Sequence, residues 1–106
     1  MKQYIYENGK LVSVIDNRSL AEAIRLNVEV NREKASHAIQ VAGLDASTQQ
    51  NAALGIYSPE RCEAIKSYIA DCRNEYLRCK ELILASQTND EADAVQFVAP
   101  EVPAGL

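Results

Sequence analysis

Two short apolar runs flank an Asn–Gly pair at the start of the chain, in YIYENGKLVSV. Alternation around such a pair predicts a β-hairpin, because both turn positions of a type I′ turn need positive φ and Asn-Gly supplies it. Centred on Asn8-Gly9, the hairpin sets Glu7 opposite Lys10, a favourable cross-strand pair, then Tyr6 opposite Leu11 and Ile5 opposite Val12. Two strands alone are marginally stable in water. The hairpin is therefore expected to pack on helices or to gain another strand.

After residue 18 the apolar period changes from two to about 3.6. SLAE at 19–22 is a capping box, with Ser19 as N-cap and Glu22 at the third helical position. It predicts a helix from about Leu20 to Ala42, ended by Gly43. Ile24, Val28, Ala35, Ala38 and Ala42 form one row on it, interrupted by Asn31. Leu26, Val30, His37 and Val41 form a second row nearly opposite. Apolar rows on two sides predict a helix covered from both, and the β-branched pair Val28 and Val30 invites a break near Asn31. LDASTQQNAALG predicts a short helix capped by Asp45 or Ser47 and closed by Gly55. SPER then opens a long helix to about Ser86, with Ser58 at the N-cap and Pro59 at the first position. QTNDEADA reads as a polar link, and VQFVAPEVPAGL as a short apolar end.

On the 58–86 helix, Cys62, Ile65, Ile69, Cys72, Tyr76, Cys79 and Ile83 are spaced alternately three and four apart, a heptad seam. All three cysteines of the chain lie on it. Cys72 and Cys79 stand about 10 Å apart along the axis at 1.5 Å rise per residue. A metal–sulfur bond of about 2.3 Å does not bridge that distance within one helix. The thiols are thus read as small apolar seam residues, with no metal and no cofactor. A metal or disulfide joining two copies of the seam is the alternative. The seam itself pairs either with the 20–42 helix or with a second copy, so a homodimer through the 58–86 helix stays open.

Length and charge narrow the class. With 106 residues, 47% of them hydrophobic, the chain builds one core. Residues 1–57 carry six basic and six acidic side chains, and residues 58–86 carry five of each; Asp90, Glu91, Asp93 and Glu101 account for the net charge of −4. A neutral body with an acidic tail offers no basic excess for phosphates, so nucleic acid is not the expected partner. No apolar run reaches a membrane span. MKQYIYENGK has no secretion-signal pattern, and few cysteines fit a reducing cytoplasm.

No catalytic constellation stands out. His37 is the only histidine, and Ser36 beside it points elsewhere on a helix. ASHAIQVAGLDASTQQNAALG resembles a helix-turn-helix, with Gly43 at the turn and 46–54 as the reading helix. However, Gln49 stands where that motif has an apolar anchor. The opening MKQYIYENGKLVSVIDN, followed by a short charged helical body, resembles small accessory proteins of tailed bacteriophages. That resemblance implies a protein made to bind and redirect host machinery, such as nucleases or CRISPR and other defence complexes.

The expected fold is mainly α (α+β): an N-terminal hairpin packed on a long–short–long helical arrangement over residues 1–86, then an acidic, partly apolar tail over 87–106. The expected function is non-enzymatic: binding and inhibiting or redirecting a host protein complex. Tyr68, Arg73, Tyr76, Arg78 and Phe97 are the candidate contact residues, because Tyr and Arg are enriched in binding hot spots and Phe97 is the only Phe. In the tail, Val95 and Phe97 are expected to face the core as a strand beside the hairpin, or to dock on a partner. The rival functions are a DNA-binding regulator using residues 46–54 and an oligomeric sponge for a signalling nucleotide.

Overall fold

The computed structural model describes residues 2–106. Strands β1 (Lys2–Glu7) and β2 (Lys10–Asp16) form the hairpin. Four helices follow: α1 (Leu20–Val41), α2 (Ala46–Ala53), α3 (Pro59–Leu84) and α4 (Asn89–Ala94). The chain is mainly helical with one antiparallel hairpin, the expected fold class.

The caps act as their residue types dictate. Ser19, Asp45, Ser58 and Thr88 each accept the backbone N–H three residues on. At the end of α1, Gly43 N–H donates to the Gln40 carbonyl and Leu44 N–H to the Ile39 carbonyl. Gly43 sits at φ +81°, and the apolar residue after it, Leu44, is buried. The same pair of bonds, with Gly55 and Ile56, closes α2. α1 runs unbroken through Asn31.

The core lies between α1 and α3, closed by α2 at one end and by α4 with the segment after it. Cys62, Ile65, Cys72, Cys79 and Ile83 of the seam are buried, and Ile69 and Tyr76 are half-buried against them. Thus the seam pairs within the chain. α2 is fixed by buried Ala52 and by Tyr57, whose hydroxyl accepts from Asn51 and whose ring lies 3.9 Å under Arg61.

Three placements differ from expectation. First, α1 is covered on one side only. Val30, His37 and Val41 of its second row are exposed, because α3 and α4 both pack on the row of Ala23, Asn31, Ala35 and Ala38. Second, QTNDEADA contains helix α4, with Ala92 buried. Third, the residues after α4 form no strand. They run extended across α1 and α3: Asn31 accepts the Phe97 N–H at 2.7 Å, Glu75 accepts the Val98 N–H at 2.8 Å, and Lys34 donates to the Gln96 side chain at 2.7 Å.

The hairpin departs furthest from expectation. Neither strand packs on a helix, and no third strand is present among the described residues. The extents of 59 × 30 × 19 Å and radius of gyration of 18.5 Å reflect this projection; a packed chain of this length has a radius near 13 Å.

Candidate interaction surface

The five residues picked from sequence do not share a surface. Tyr68 is 2% exposed and Phe97 9%; both are core residues. Tyr68 lies three residues after Ile65 and four before Cys72, so it continues the buried stripe of α3, and burial raises its hydroxyl pKa. Arg78 is exposed but held by the Glu75 carboxylate, and it also donates to the Gln96 carbonyl at 3.4 Å. That hydrogen-bonded pairing raises the pKa of Arg78 and lowers that of Glu75. Tyr76 is half-buried against the core. Arg73 alone is exposed and makes no ion pair among the described residues.

The hairpin groups more exposed large apolar residues than any other element, from Tyr4 to Ile15. Its register is Glu7–Lys10 and Tyr6–Leu11 as expected, but Ile5 faces Ser13 rather than Val12. Val12 is the extra residue of a β-bulge. The bulge has a consequence for the faces. Leu11 and Val14 are three apart, so in a regular strand they would point to opposite sides. With one residue bulged out, both join Tyr4 and Tyr6 on a single face through the pairs Tyr6–Leu11 and Tyr4–Val14. The other face is mixed: Gln3–Ile15, Ile5–Ser13 and Glu7–Lys10. Tyr4, Tyr6, Leu11 and Val14 are 55%, 63%, 51% and 47% exposed. Exposed apolar clusters of this kind are a general feature of binding surfaces.

A polar latch holds the hairpin to the body. The Arg18 guanidinium forks onto Asp16 (2.9 and 2.8 Å) at the end of β2 and onto Asp93 (3.0 and 2.8 Å) in α4. Asp93 also accepts from Asn27 at 2.7 Å and pairs with Lys2 at 2.7 Å. Asn89 donates to Asp16 and to the Arg18 carbonyl, at 3.0 and 2.9 Å. Hydrogen bonds from Arg18 hold both carboxyls well below the usual carboxylate range, and the same bonds raise the Arg18 pKa. No sequence signal links Arg18 to Asp93, 75 residues on. α4 did leave a signal: TNDE at 88–91 is a capping box.

Two other regions bear on ligand binding. In α2, Gln49 donates its amide to the Leu44 carbonyl and Asn51 donates to the Tyr57 hydroxyl, so two amides of the presumed reading helix are engaged within the fold. The Asp45 carboxylate caps its N-terminus. A groove of about 400 Å³ runs between α1 and the 97–102 segment, with Tyr68 and Phe97 in its wall and Lys34 and His37 among its lining residues. The three thiols are free and buried, and burial raises the pKa of Cys72 and Cys79. Among the described residues no helix is long and apolar enough to cross a membrane. Comparison with known proteins returns no match: no family model fits the chain, and neither a curated protein nor a solved structure is significantly similar.

Proposed function

We propose that this chain is a non-enzymatic interaction protein that binds a host protein complex through the Tyr4–Tyr6 face of its hairpin and inhibits or redirects it. The observation that carries the reading is the bulge-aligned face itself: two Tyr, a Leu and a Val presented together, with no cover from the helices. Such a face binds an apolar groove or sheet on a partner. The host complex as target, and a phage origin, follow from the resemblance to phage accessory proteins. Arg73 is the remaining free candidate on α3. The DNA-binding reading is weakened by the engaged amides of α2. The nucleotide-sponge reading is weakened because Arg18 and Arg78 already serve carboxylates.

The test is affinity capture with tagged protein from bacterial lysate, with nuclease added, read by mass spectrometry. A stoichiometric protein complex that is lost with Val14→Ser and kept with the distant Lys66→Ala is the expected result. Capture of DNA or a nucleotide in place of protein, or capture indifferent to Val14, overturns the reading.

A further inference from the structure

The hairpin has two open edges, and they are not equivalent. On β2 the bulge at Val12 breaks the regular ladder, a common way of blunting an edge. On β1 the run Gln3–Tyr6 carries no extra residue, although the Val12 bulge lies opposite its Ile5–Tyr6 step; it carries no charge and no Pro, and offers its outer N–H and C=O groups to no strand. A two-stranded sheet with such an edge gains most from a further strand.

The charges of β1 select the occupant and its direction. Lys2 begins the strand and Glu7 ends it. Parallel pairing of β1 with itself would set Lys2 beside Lys2 and Glu7 beside Glu7, and like charges opposite each other destabilise a sheet. Antiparallel pairing brings the Lys2 end of one copy to the Glu7 end of the other. A two-fold axis normal to the sheet requires one residue to face itself. With Ile5 on the axis, Tyr4 faces the partner's Tyr6 and Gln3 can donate its amide to the partner's Glu7. Residues 3–7 are then all paired with no like charges opposed.

We infer that β1 is a homodimerisation edge: two copies join antiparallel about Ile5 into a four-stranded sheet of order β2-β1-β1-β2. The interface is isologous, as a closed dimer requires. It uses the edge and leaves the Tyr4–Tyr6 face free. The dimer therefore doubles that face into one continuous platform for the partner of the proposed function. It is distinct from a dimer through α3, whose seam is already filled by α1.

The experiment is sedimentation equilibrium on the full chain across roughly 1 μM to 1 mM, the range that resolves a weak strand-addition dimer. The wild type is expected to pass from monomer to dimer. Ile5→Lys, which opposes like charges at the axis, is expected to stay monomeric with the helical melting temperature unchanged, and Ile5→Glu likewise. An equimolar mixture of the two variants is expected to recover a heterodimer, since the register sets position 5 against itself. A wild type that is monomeric throughout, an Ile5→Lys variant that still dimerises, or a mixture that stays monomeric overturns the inference. Val14→Ser lies on β2, away from the axis, and is expected to lose partner capture while keeping the dimer. Failure of the dimer is thus separable from failure of the partner reading.

Discussion

Asn31 is the buried polar residue of α1, and each of its polar atoms has a partner. Its carbonyl oxygen accepts the Phe97 N–H, and its amide donates to the Asn27 carbonyl at 2.8 Å and to the Val95 carbonyl at 3.4 Å. Sequence alone shows it as an interruption of an apolar row; the fold makes it the clip for the chain's end. Asn31→Ala leaves the buried Phe97 N–H unpaired and is expected to cost about 1–3 kcal/mol in urea unfolding. An unchanged midpoint would mean that the clip contributes nothing. The thiols are a second case. Burial keeps Cys72 and Cys79 protonated at neutral pH, so alkylation of the native protein is expected to be slow, with all three cysteines modified in denaturant. Because their folded pKa lies above the unfolded one, this contribution to stability is full below about pH 8.5 and is lost as pH rises above it.

At the scale of elements, two pieces meet the helical pair α1–α3 in different ways. The segment after α4 docks by burial. Phe97→Ala is expected to lower stability by about 3 kcal/mol, read by thermal or urea unfolding; a surface residue awaiting a partner would cost almost nothing. The hairpin is joined by charge. Asp16 and Asp93 have folded-state pKa values below their ordinary ones, so the latch is at full strength above about pH 3.9 and weakens only as pH falls through the depressed values. Amide exchange at the base of β1 and β2 is therefore expected to be flat from neutral pH down to mild acid once its intrinsic pH dependence is removed. Asp93→Asn is expected to raise that exchange at pH 7 while leaving α1 and α3 protected. Equal protection in the variant would show that Arg18 and Lys2 do not need Asp93.

At the scale of the molecule, the helical body and the hairpin are separable. Since neither strand packs on a helix, removal of residues 1–16 is expected to leave the helical body folded, with circular dichroism still showing a cooperative melt. Small-angle scattering at low concentration is expected to give a radius of gyration near 18.5 Å for the full chain and a smaller one for the shortened chain. Collapse of the body on removal of the hairpin would show that the strands cover a core.

Local rules written in consecutive residues were legible in the sequence. Asn8-Gly9 made the turn, Ser19 and Ser58 started helices, Asp45 was one of two caps offered for α2, Gly43 and Gly55 ended helices, and the three–four spacing from Cys62 to Ile83 marked the buried stripe of α3. Each is decided by groups within a few residues of one another. What the sequence could not decide is which apolar surface meets which. Tyr68 and Phe97 look like contact residues until α1, α3 and the chain's end pack together and bury them, and the bulge at Val12 appears only when two strands are set in register. The second row of α1 stays open because α3 and α4 share the first. The hairpin's base is anchored by Arg18 and Asp93, 75 residues apart, a pairing that exists only once α4 has docked on α1.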